Sequence, residues 1–152
     1  MKKVMLLALM VVLFLQVNAQ SVNSAYDSTL AKKLGADDYG MKSYVFVILK
    51  SGTSTTVNPE LRDSIFRGHL NNISRLAGMG KLVIAGPLGD NDKSYRGIFI
   101  FNVSTIAEAK ELLMTDPAVK AKLLDAELYE WYGSAAISEY LKVHDKIAKK
   151  KF

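Results

Sequence analysis

Two stretches of this sequence are apolar at consecutive positions. Tyr44 to Leu49 in SYVFVILK and Ile98 to Phe101 in RGIFIFNV are rich in β-branched and aromatic residues, which favours strands. Side chains alternate across a strand, so each of these two must be covered on both sides. At 152 residues the chain has the length of one domain. A single domain that buries both faces of a sheet needs cover from helices, from its own tail or from a second chain.

The elements follow in order. Ser43 to Lys50 is the first strand, followed by the polar loop SGTSTTV. Asn58-Pro59-Glu60 starts a helix: Asn suits the N-cap, Pro the first turn, and Glu60 and Asp63 the positive end of the dipole. The helix is predicted to run to about Ala77, with Gly78 and Gly80 as stop signals. Leu61, Ile65, Phe66, Leu70, Ile73, Leu76 and Ala77 span its apolar face, with His69 near the middle; Arg67, Asn71, Ser74 and Arg75 take the other side. Lys81 to Ala85 is the second strand, closed by Gly86-Pro87. The polar turn LGDNDKSY and a third strand, Arg96 to Val103, complete a hairpin. Thr105 and Glu108 form a capping box for a helix reaching Met114, with Ile106, Ala109, Leu112 and Leu113 as its stripe. Thr115-Asp116-Pro117 interrupts it, and Ala118 to Leu123 makes a short second helix. Leu124 to Tyr132 is the last strand, ended by Gly133. Ile137, Tyr140, Leu141, His144 and Ile147 mark an amphipathic helix within 134–152.

This order, β-α-β-β-α-β, is the ferredoxin-like split arrangement of an α+β domain over 43–133, with an added C-terminal helix. Its two main helices cover one face of the sheet. The other face would be an exposed apolar patch, a liability in a monomer. A face-to-face homodimer is the economical cover; the C-terminal helix laid across the sheet is the competing one.

Before the domain, Lys2 and Lys3 precede an apolar run from Val4 to Leu15, and Val17-Asn18-Ala19 ends in a small residue. That is the pattern of a secretory signal peptide over 1–19, too short and wrongly flanked for a spanning helix. The expectation is export by the Sec route to the periplasm or the medium, with no membrane attachment after cleavage. Residues 20–42 form a polar leader. Tyr26, Leu30 and Leu34 stand at helical spacing, but the composition favours a flexible segment. Loss of Lys2 and Lys3 lowers the net charge from +5 to +3, and Lys149, Lys150 and Lys151 supply as much at the extreme C-terminus. The folded body is thus near neutral, and the basic pI does not indicate nucleic acid. The absence of cysteine rules out disulfides and thiolate chemistry.

Topology brings separated residues together. The turn after strand two and the end of helix two lie at the edge where helix one begins. Asp90 and Asp116 therefore fall near His69. A carboxylate beside a histidine orients the ring and favours its charged form, whereas burial disfavours that form. Such a pair suits general acid/base work. A lone inward histidine is more often a hydrogen-bonded core residue, and leaving its ring unpaired costs on the order of 1–3 kcal/mol. Asp116 also suits a helix cap, Asp90 and Asp92 suit turns, and His144 suits packing. Two distant histidines give no zinc pattern, and GDNDKS lacks the rest of an EF-hand. Gly78-Met79-Gly80 follows a helix instead of opening one, so it is no phosphate loop; GxSxG is absent. No cofactor or metal is implied.

The run GHLNNISRLAGMGKLVIAGPLGD, then RGIFIFNV, then a helix ending in TDPAVKAKL resembles the YCII-related (YciI-like) family over about Tyr44 to Tyr132. The resemblance is nearest to secreted bacterial members. It implies a dimeric α+β barrel and a pocket holding a His–Asp acid/base pair. Carried over, His69 is the histidine, Asp116 of the Asp-Pro motif its first partner and Asp90 its second. A dehydrochlorinase-like activity on a chlorinated hydroquinone is known in the family; the signal peptide and the C-terminal helix set this chain apart from minimal members. Two functional readings stand at this point. One is acid/base chemistry on a small substrate, aromatic ones included. The other is a non-catalytic dimer that binds a small ligand or a protein, with His69 structural.

Overall fold

The computed structural model describes residues 23–54 and 57–150; the expected signal peptide, 1–19, lies outside them. The central strand, β1 (Met41–Ser51), takes partners on both sides. The other strands are β2 (Leu82–Pro87), β3 (Tyr95–Phe101) and β4 (Leu124–Ser134). They form one antiparallel sheet in the order β2-β3-β1-β4, the ferredoxin-like order. The register sets Val45 opposite Phe101 and Val47 opposite both Phe99 and Leu128.

A short leader helix, α1 (Ser28–Leu34), precedes the sheet. It corrects the expectation of a flexible leader. Asp27 Oδ1 caps it by accepting from Thr29 and Leu30 N–H, and Gly35 closes it at φ +70°. The main helix, α2 (Pro59–Gly78), begins on Asn58, whose side chain accepts from Leu61 N–H at 2.8 Å. It ends in a Schellman turn: Lys81 N–H donates to Leu76 C=O, Gly80 N–H to Ala77 C=O, and Gly80 takes φ +67°. Then come α3 (Ile106–Leu113), capped by Thr105, and the single turn α4 (Pro117–Lys120).

These helices cover one face of the sheet. Val45, Val47 and Leu49 of β1, Phe99 and Phe101 of β3, Leu82 and Leu124 meet Leu76, Ala109, Leu113 and Ala118 in the main core. The buried line on α2 is His69, Asn72 and Leu76, with Ile65, Phe66 and Ile73 beside it. Leu61 and Leu70, expected on that face, are exposed at its margin. The sheet is narrow, so only the centre of a wide apolar arc reaches it.

The opposite face holds a smaller cluster, Tyr44, Val83 and Ile100, with Phe46 and Ile84 against it. The strand does not stop at Gly133 as expected but runs to Ser134. A Cβ on Gly133 would sit 2.4 Å from the Trp131 ring, so glycine there lets the indole fold back along its own strand. After β4 a 3-10 helix (Ala135–Glu139) leads into α5 (Tyr140–Ile147). Ile137 of the 3-10 helix packs on the small cluster; α5 packs against the 3-10 helix and buries none of its residues. The competing idea that the C-terminal helix spans the open face is therefore corrected. Only its leading turn covers that face, at one end, because β4 runs on until the chain is nearly past the sheet.

Candidate functional site

The site starts from a glycine inside a helix. Gly68 costs α2 about 1 kcal/mol relative to alanine. A Cβ there would lie 3.0 Å from Pro117 Cγ, so the missing side chain lets α4 approach α2 closely. Pro117 in turn holds Asp116 in extended backbone, φ −81° and ψ 122°, as the N-cap of α4. Asp116 is thereby set beside the next residue of α2, His69.

His69 Nδ1 lies 2.6 Å from Asp116 Oδ2, short enough for a charge-assisted bond. Asp116 is 1% exposed, and its Oδ1 accepts from Ala118 N–H at 2.8 Å. The carboxylate therefore caps α4 with one oxygen and holds the histidine with the other. The His69 ring stacks near Phe99, with centroids 6.0 Å apart, and meets the edge of Phe66. An ionised carboxylate only accepts, so the neutral ring carries its proton on Nδ1 and its lone pair on Nε2. Nε2 has no hydrogen-bond partner among the described residues. Among the described residues no enclosed polar side-chain atom lacks one, so Nε2 is open to solvent.

Asp90, the second expected partner, is exposed in the β2–β3 turn and makes no hydrogen bond to His69. The turn does lie at the expected edge, where Ser51 N–H donates to Ser94 C=O. However, it is organised by Asn91, whose side chain bonds Gly89, Lys93 and Tyr95, and it projects outward. The α3–α4 junction, in contrast, lies directly on α2. His144 is half-buried on α5, its ring 5.8 Å from that of Tyr140.

One group was not singled out from the sequence. Asn72, a turn beyond His69, is 8% exposed. Its Oδ1 accepts from Arg75 Nη2 at 2.8 Å and Nε at 3.2 Å, and Thr115 Oγ1 lies 3.1 Å away. Helical spacing put Arg75 outside and gave no reason to choose Asn72 over Asn71. The Asn72–Arg75 spacing of three was the available signal.

Two clefts lie elsewhere on the described residues. One of about 280 Å³ is lined by Lys42, Lys81, Asn102 and Glu108; the other, about 920 Å³, lies between the leader and the 3-10 helix. Neither is lined by His69. Among the described residues, no cluster of three or more acidic and histidine side chains could hold a metal ion. Likewise, no helix there is long and apolar enough to cross a membrane.

No curated protein matches the chain in sequence. Among solved structures, it is similar to the 5-chloro-2-hydroxyhydroquinone dehydrochlorinase of Burkholderia phenoliruptrix AC1100, determined in complex with 2,5-dihydroxybenzoquinone. The identity is 22%, over 57% of this chain and 92% of that one, with a TM-score of 0.41. The profile of the YCII-related domain matches residues 44–132, from the central strand through β4, and so takes in both His69 and Asp116. That match spans more than half of the sequence, and the chain belongs to the YCII-related domain family.

Proposed function

We propose that this protein acts on a small molecule, with His69 as a proton-transfer group oriented by Asp116. The observation that carries the reading is the buried 2.6 Å contact at Nδ1 combined with an unpartnered, solvent-reached Nε2. Such a ring can take a proton at Nε2 and return it, while Asp116 stabilises the charged intermediate form. Phe66, half-buried beside the ring, favours a flat apolar ligand, so small phenols are the first class to test. A base of this kind is also what an elimination such as dehydrochlorination requires.

The second reading is a non-catalytic binding module. It is favoured by the α4 cap at Asp116 and by clefts that lie away from His69. Nitrogen-15 NMR of the histidine ring separates the two, in wild type and Asp116→Asn, with and without a panel of phenols. The acid/base reading expects an Nδ1–H tautomer, a ligand response at Nε2, and loss of both preferences in the variant. A ring that no ligand moves leaves the binding module as the better account.

Two further parts belong to the same proposal. A second copy covers the open face around Phe46, Tyr129 and Trp131; a monomer in sedimentation equilibrium at micromolar concentration would remove it. Residues 1–19 direct export by the Sec route, which N-terminal sequencing of the mature protein tests by a start at Gln20.

A further inference from the structure

His69 and Asn72 share an unusual property. Each is more than nine-tenths buried, and each has one side-chain nitrogen without a partner among the described residues. Among the described residues no enclosed polar side-chain atom lacks a partner, so both nitrogens are reached from solvent. Three residues apart on α2, they are neighbours on its surface, with Cβ atoms about 5–6 Å apart.

The orientation of the Asn72 amide is dictated by chemistry. Arg75 offers two N–H donors to it, and a guanidinium can only donate. The atom facing Arg75 must therefore be the oxygen, which turns the NH₂ group away. Arg75 forms no salt bridge among the described residues, so its charge is not neutralised at this point. A cation on the amide oxygen polarises the amide and strengthens its N–H groups as donors.

We propose that Asn72 is a second ligand-binding group of the His69 site, and that its Nδ2 donates to the ligand oxygen that becomes negative when His69 takes a proton. The proposal rests on the acid/base reading of His69 and adds the substrate class: a small molecule with an acidic hydroxyl or an enolisable carbonyl. With a hydroxyl, the O–H bond breaks, the proton goes to Nε2 and the electron pair stays on oxygen. With a carbon beside a carbonyl, the C–H pair becomes a C=C bond and the carbonyl π pair moves onto oxygen. In both cases the new charge lies on an oxygen. A donor already held by Arg75 and Thr115 stabilises that charge without reorganising.

Asn72→Asp separates this role from a structural one. It keeps an acceptor for Arg75 and Thr115 and replaces the donor with a carboxylate oxygen. The full chain is titrated with p-nitrophenol, following the Asn72 side-chain amide and the His69 ring by NMR. Both signals are expected to move with one affinity in the wild type. Asn72→Asp should weaken binding about tenfold or more while the melting temperature holds. If His69 responds but the Asn72 amide does not, or the variant binds like wild type, the proposal is overturned and the acid/base reading stands. If neither group responds, both fall.

Discussion

The two faces of the sheet both carry apolar side chains and finish them differently. On the helix side, the core is closed by α2, α3 and α4, and the buried Asp116 inside it has a bond on each oxygen. On the other side, Tyr44, Val83 and Ile100 are covered by Ile137, while Tyr129 and Trp131 stay exposed. Beyond them, Tyr140, Val143 and Ile147 line α5 at 41%, 57% and 73% exposure. A pattern of apolar residues is thus satisfied within the chain only where the connections bring cover back onto the sheet. The βα and αβ crossovers do so for one face; a tail leaving the end of β4 does not.

Core truncation gives the largest expected difference between the faces. Leu76→Ala removes a side chain 1% exposed at the centre of the helix-side core and should cost roughly 2–5 kcal/mol in urea unfolding. A cost below 1 kcal/mol would mean that this face is packed no better than the other.

Asp116→Ala comes next. It removes a helix cap and leaves a buried histidine without its carboxylate, for an expected loss of about 2–4 kcal/mol. Asp116→Asn, which retains an oxygen for the cap, should lose less. Equal losses would show that the bond to His69, not the cap, carries the whole effect.

On the uncovered side the effects should be small. Val143→Ser on the exposed stripe of α5 should change unfolding free energy by no more than about 0.5 kcal/mol. A larger loss at protein concentrations where the chain self-associates, absent on dilution, would sharpen the comparison by showing a second copy on α5.

The smallest effect concerns the tie between leader and sheet. The Tyr132 hydroxyl holds the Asp37 carboxyl below its ordinary 3.8, helped by the N–H groups of Met41 and Tyr39. A depressed carboxyl contributes stability that is complete above its unfolded value and disappears as pH falls through the folded one. The Tyr39 and Met41 amide resonances, which report bonds to Asp37 Oδ1, should therefore hold steady at neutral pH and shift only below about pH 4. A shift near pH 6 would place the controlling group elsewhere.

Much of the site could be read along the chain because it depends on local signals in a known topology. Asn58-Pro59 starts α2, Gly80 stops it, and Asp116-Pro117 makes an extended cap whatever lies nearby. The order of strands then lays the α3–α4 junction on α2. The choice between Asp116 and Asp90 was not local. Both follow elements ending at the same edge, and only the close approach of Pro117 to Gly68 decides for Asp116. Asn72 was missed because an asparagine beside an apolar stripe has no distinguishing sequence mark; its meaning comes from Thr115, 43 residues away. The leader helix was missed for the opposite reason: Asp27 and Gly35 are good caps, but the polar composition between them favoured a flexible segment.

Periodicity and end signals, which act within a few residues, by themselves determined the β-α-β-β-α-β order, the two-sided strands, and the inward position of His69 on α2. Tertiary structure alone decided which carboxylate meets that histidine, which way the Asn72 amide faces, and that α5 leaves the open face uncovered. Each of these turns on whether groups distant in sequence come within a hydrogen bond or a van der Waals contact. Ångström differences in packing set that outcome, and residue spacing along the chain does not encode them.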